Sequence, residues 1–196
     1  MKNEIKIKKK TIYLALAGLL LFGIFLYVVN SDSILKNNLN PNSLEARFEK
    51  LKTAGTNFCA GPDILELTDS NRLQGSCCSK MDFHRYVEQI EGLKKYKDID
   101  KIPEDPYDIS KELAKELLGY QKNIKLTSEQ QKIYDESVKM SMEGGPCCCK
   151  CWRWYAFEGL AKHLITEYDF NSEQIAEVWD LEDGCGGKGH VEGEGH

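Results

Sequence analysis

Hydrophobic positions along this chain fall into two regimes. Residues 11–29 (TIYLALAGLLLFGIFLYVV) form one run without a charge. Nineteen residues at ~1.5 Å rise span roughly 28 Å, the thickness of a hydrocarbon core, so the run predicts a single transmembrane helix. Beyond it the apolar residues recur every three or four positions. Leu44, Phe48 and Leu51 predict a helix over residues 44–52, capped at Asn42-Ser43. Ser79 reads as the N-cap of a helix over 80–96, whose apolar stripe is Phe83, Tyr86, Val87, Ile90 and Leu93. Residues 109–122 and 128–142 are rich in helix formers. Pro146 suits the first turn of a helix reaching about residue 168, along which Trp154, Phe157, Leu160, Ala161 and Leu164 share a face. A last helix starts at Asn171 or Ser172. No stretch sustains the two-residue alternation of a strand. The expected fold is mainly α.

The punctuation between these runs divides the chain. Residues 1–30 read as an uncleaved signal anchor and 31–42 (SDSILKNNLNPN) as a polar linker. Residues 43–183 form a cysteine-rich helical domain, and 184–196 (GCGGKGHVEGEGH) a flexible Gly/His-rich tail. A cleaved signal peptide would need a small-x-small site, and the exit YVVNSDS offers none. A lipoprotein signal would need a cysteine just after the run, whereas the first is Cys59. Lys2, Lys6, Lys8, Lys9 and Lys10 flank only the N-terminal side, which places the N-terminus in the cytoplasm and the domain outside. The first thirty residues hold five lysines and one glutamate, so the net charge of −5 leaves −9 for the rest. Such an acidic domain lacks the basic face that nucleic acid requires. The expected partners are membrane lipid, through the N-terminal helix, and a protein that exchanges metal or thiols.

Chemistry concentrates in the eight cysteines. Four of them fall within five residues, in GGPCCCKCWRW (residues 144–154), and Cys77-Cys78 precedes another predicted helix. On a helix, Cys148 and Cys151 or Cys147 and Cys151 share a face; on an extended chain, Cys147, Cys149 and Cys151 do. Thiols at a helix N-terminus, with Lys150 and Arg153 nearby, are favoured as thiolates. Residues 77–81 (CCSKM) also align with 147–151 (CCCKC) at an offset of seventy. If the two segments face one another, Cys77, Cys78, Cys147, Cys148, Cys149 and Cys151 supply sulfur for zinc, a Cu(I)–thiolate cluster or an iron–sulfur cluster. Outside the cytoplasm disulfides compete with metal, and eight cysteines permit 105 connectivities. Adjacent cysteines rarely pair, which makes a purely structural framework awkward. Plain packing suits Cys59 or Cys148 at most.

The run Pro146-Cys147-Cys148-Cys149-Lys150-Cys151 fits P-C-x-C-x-C and resembles the PCYCGC-motif exported proteins, with Cys148 in place of Tyr and Lys150 in place of Gly. That resemblance implies an exported, anchored cysteine-site protein. A looser likeness links Cys148-Cys149-Lys150-Cys151, a CxxC, to the thiol reductases of cytochrome c maturation. It implies thiol–disulfide exchange with Cys148 and Cys151 as the catalytic pair.

The histidines add little. His163 lies twelve residues past Cys151, roughly 18 Å along a helix, too far to share an ion with it. His84 is nearer to Cys78, and His190 and His196 with Cys185 suggest a metal-sequestering tail. No Cys-x-x-Cys-His, HExxH, phosphate loop or Ser-His-Asp signature occurs. Three functions stay open: soft-metal binding as carrier or structural site, membrane-tethered thiol–disulfide exchange, and a disulfide-stabilised interaction module.

Overall fold

In the computed structural model, residues 43–186 are described. The expected anchor, the linker and the tail beyond Gly186 lie outside them. Among the described residues no helix is long and apolar enough to cross a membrane. Contacts divide the chain between Ala46 and Arg47, and the unit from Arg47 onward holds the core and the cysteines.

The elements are α1 (Leu44–Leu51), α2 (Ile64–Leu67), β1 (Arg72–Gln74), α3 (Phe83–Leu93), a 3₁₀ turn (Lys94–Tyr96), β2 (Asp108–Ser110), α4 (Lys111–Asn123), α5 (Ser128–Met140), α6 (Trp152–Glu167) and α7 (Ser172–Leu181). The fold is mainly helical. Where local capping chemistry is strong, the ends match the sequence reading. Thr127 and Gln130 form a reciprocal capping box on α5, and Asn171 and Gln174 do the same on α7.

Three boundaries differ, each because a tertiary partner outweighs a local preference. Asp82 rather than Ser79 caps α3, accepting from the Arg85 amide at 3.0 Å. Ser79 is drawn away, because its amide and hydroxyl both donate to the Cys185 carbonyl. The expected helix over 109–122 gives up Ile109 and Ser110 to β2, which pairs antiparallel with β1 in the register Leu73 opposite Ile109. Strands of three residues are too short to announce themselves by alternation. Pro146 begins no helix: residues 144–151 bend through an irregular loop, and Cys151, extended at φ −82°, ψ −175°, stands at the N-cap of α6.

The core is built around α6, which packs against α4, α5 and α7. Trp152, Ala156, Phe157, Leu160, Ala161, Leu164 and Ile165 are buried along it, so this helix is enclosed on most sides rather than amphipathic. Gly159 allows the closest approach. A Cβ there would stand 2.0 Å from the Leu117 carbonyl oxygen and 2.7 Å from the Gln121 nitrogen, both backbone atoms of α4. Of the expected α6 stripe, Phe157, Leu160, Ala161 and Leu164 enter the core, while Trp154 turns toward the cysteines. On α3, Tyr86, Ile90 and Leu93 are buried, but Phe83 is exposed and Gln89 is fully enclosed.

Candidate metal centre

Four segments outside regular structure meet at the N-terminal end of α6. The first carries Cys59 and is tied down by Asn57, whose amide donates to the Gly75 carbonyl at 2.7 Å and whose oxygen accepts from Trp152 Nε1 at 3.0 Å. The first amide of α6, that of Trp152, donates to the Ala60 carbonyl at 2.7 Å. The second segment, with Cys77 and Cys78, is stitched to the fourth by Cys77 N donating to Gly184 O and Ser79 N donating to Cys185 O. The third runs from Ser141 to Cys151. The Ser141 hydroxyl accepts from the Gly145 amide at 2.8 Å, and Gly145 at φ +149° lies so close to the Trp154 ring that a Cβ would stand 2.5 Å away. The fourth follows α7 and presents Cys185, its amide donating to Asp183 Oδ1 at 3.0 Å.

These segments bring all eight sulfurs into one network of unbonded thiols. Cys59 and Cys149 are 3.4 Å apart, Cys77 and Cys78 3.4 Å, and Cys77 and Cys185 3.7 Å. Cys147 stands 3.4 Å from Cys185 and 3.9 Å from Cys151, and Cys148 stands 3.1 Å from Cys185. A tetrahedral site with metal–sulfur bonds of about 2.3 Å places its sulfurs roughly 3.8 Å apart, and the contacts here, from 3.1 Å to 3.9 Å, lie at or inside that spacing. Three triads, Cys59/Cys78/Cys149, Cys77/Cys78/Cys185 and Cys147/Cys148/Cys149, each have their sulfurs within 4.8 Å of one another, close enough to hold an ion. Cys147, Cys151 and Cys185 are buried, whereas Cys59, Cys78 and Cys148 are exposed. The network thus has a closed floor and an open rim.

The six cysteines expected at the site, Cys77, Cys78, Cys147, Cys148, Cys149 and Cys151, are brought together as loops rather than helix turns. Two more join them. Cys59, for which plain packing was one reading, is exposed and touches Cys149; Cys185, expected in a flexible tail, is buried at the centre. The hints in the sequence were that eight cysteines less the six in pairs and runs leave these two, and that Cys185 sits in a tail suggestive of metal sequestration. The CxxC residues face other partners: Cys148 meets Cys185, and Cys151 meets Cys147. Among the described residues no histidine contributes. His84 Nε2 is 3.1 Å from Glu88 at an exposed site, and His163 stacks on Tyr120 at 4.5 Å.

The electrostatics of the thiols are shared. Hydrogen bonds from Cys147, then Cys77, hold the Cys151 thiol well below its usual pKa, and the Arg153 and Trp154 amides at the start of α6 add to this, although none makes a capping bond of normal geometry. The same contacts push Cys147 and Cys77 up, because their protons serve Cys151. Burial raises Cys149. Behind the floor lies Arg153, 1% exposed, which the sequence places near the thiols without showing that it is buried. Its guanidinium donates to the Pro106 carbonyl at 2.9 Å and to the Glu182 carbonyl, and stacks 4.7 Å from the Phe157 ring. Burial works against its charge, but Cys77, Cys147, Glu182 and Cys185 outweigh it and keep the group cationic. A buried guanidinium is costly unless its donors are paired, and two backbone carbonyls pair these.

No family model, curated protein or solved structure matches this chain. The chemistry rests on the geometry: eight cysteines cluster closely enough to bind a soft metal ion.

Proposed function

We propose that this chain is a membrane-anchored, extracytoplasmic carrier of soft metal ions, which it holds through the cysteine cluster and passes to a partner that also offers thiolates. The observation that carries the reading is the convergence of eight free sulfurs from four separate loops. Thiolate donors without oxygen or nitrogen neighbours select Cu(I) and zinc over hard cations. Within each triad, sulfurs under 4.8 Å apart suit one ion between them and leave no room for an iron–sulfide core. The exposed rim favours carriage over a structural site, because structural zinc is closed in by its ligands. The uncharged run over residues 11–29 and the lysines before it support the anchor and its orientation. The P-C-x-C-x-C likeness belongs to the same proposal.

The test uses the full chain, purified in detergent without oxygen, with metal content and free thiols measured on one sample. Stoichiometric metal, and thiols that react with a soluble maleimide only after a chelator is added, are expected. A protein with freely reactive thiols that takes up neither zinc nor Cu(I) would end the reading. One contact favours thiol–disulfide exchange as the second reading: exposed Cys148 stands 3.1 Å from buried Cys185. Under it a Cys148–Cys185 disulfide, rather than Cys148–Cys151, forms and reopens in a glutathione redox titration.

A further inference from the structure

Resting on the soft-metal reading, we infer that the cluster is polynuclear: three Cu(I)-class ions sit in three corner-sharing triads, with Cys78 and Cys149 as bridging thiolates. The triads are not separate. Cys78 belongs to both Cys59/Cys78/Cys149 and Cys77/Cys78/Cys185, and Cys149 belongs to both Cys59/Cys78/Cys149 and Cys147/Cys148/Cys149. A thiolate has lone pairs enough to bind two metals, and shared corners are what a bridged cluster requires. A mononuclear tetrahedral site would instead isolate four sulfurs and leave four idle.

The donor set decides the class of ion. Every group of metal-spaced side chains among the described residues consists of cysteines alone. An ion in such a triad is three-coordinate in sulfur, with neighbouring sulfurs roughly 4.0 Å apart for a bond of about 2.3 Å. Zinc in protein sites takes four ligands, whereas soft thiolates suit Cu(I). Binding displaces the thiol protons, so the loaded cluster carries the charge of its thiolates, and several ions offset more of that charge than one. Among the described residues Arg153 is the only buried arginine or lysine at hand to share in this.

The experiment is a Cu(I) titration of the reduced full chain under a competing chromogenic chelator, read by native mass spectrometry. The expected spectrum passes from metal-free chain to three ions with little of the one-ion form. Cys78→Ser breaks two of the three triads and so does Cys149→Ser, the Cys59/Cys78/Cys149 triad being common to both, so each should fall to one ion, while Cys148→Ser, which breaks one, keeps two. Far-UV circular dichroism of each variant should overlay the parent, showing that the loss is local. Saturation at a single Cu(I), or Cys78→Ser and Cys149→Ser losing no more than Cys148→Ser, overturns the bridged cluster and leaves the soft-metal reading standing. Failure to bind either Cu(I) or zinc overturns both.

Discussion

The two ends of α6 are built on opposite rules. Toward its C-terminal half, Gly159, Leu160 and Leu164 press the helix into α4, and the contact is regular, apolar and sealed. At its N-terminus the chain gives up regular structure. Four loops converge, a cysteine occupies the N-cap, and polar backbone is satisfied across long sequence separations. The core gains from removing apolar surface from water, which needs no partner beyond the chain itself. The cluster gathers groups that repel one another once ionised, and an arrangement of that kind is completed by cations. The core therefore supplies the rigidity, and the cluster spends it on holding sulfurs together. Asn57 and Trp152 join the two, since one indole N–H ties the Cys59 loop to the buried start of the helix.

If the regions are separable, the largest effect should leave one of them untouched. Replacing Cys147, Cys149, Cys151 and Cys185 together by serine destroys every triad, and metal uptake should fall to zero while far-UV helicity stays that of the parent. Collapse of the helical signal along with the metal would show that the core depends on the cluster. The converse test is Gly159→Val. Its side chain would run into backbone atoms of Leu117 and Gln121 that cannot yield, so urea unfolding should show a loss of about 3 kcal/mol.

A smaller effect probes the ground behind the cluster. Glu182 is buried with neither carboxylate oxygen hydrogen-bonded, and burial, opposed by Arg153, raises its pKa well above 4.5. The folded state then keeps a proton that the unfolded chain releases above about pH 4.5, so stabilisation from this group is complete below that value and is lost as pH rises toward the folded pKa. Glu182→Gln removes the dependence. Across that window the variant should gain on the parent by up to about 1.4 kcal/mol per pH unit, measured as metal-free urea midpoints from pH 4.5 upward. Parallel curves would mean that Glu182 is ionised against Arg153. Smallest is Asn171→Ala, which removes the cap of α7 and should cost about 1 kcal/mol with no change in metal uptake.

Helices such as α5 and α7 were legible because their signals are local. Thr127 with Gln130, and Asn171 with Gln174, close their boxes within four residues. Pro146 misled for the opposite reason. Its fixed φ favours a helix start, yet the Ala60 carbonyl takes the Trp152 amide and holds the preceding loop against the other sulfurs. Arg153 was legible only as a cation near the thiols, because nothing in WRWYAFEG announces that Pro106 and Glu182 will offer it two carbonyls.

By itself the sequence determined that the domain is mainly helical, where most helices lie, and that its chemistry belongs to cysteine. These follow from spacings of three or four residues and from composition, which short-range physics reads directly. Only the tertiary structure decided that Cys59 and Cys185 stand with the other six, which sulfurs are buried and which open, and that two of them belong to more than one triad. The sulfurs in contact include pairs ninety and 108 residues apart, and no local rule connects them. Their meeting is set by how α6 and α7 pack and by the carbonyls that loops borrow from one another, and those exist only once the chain has folded.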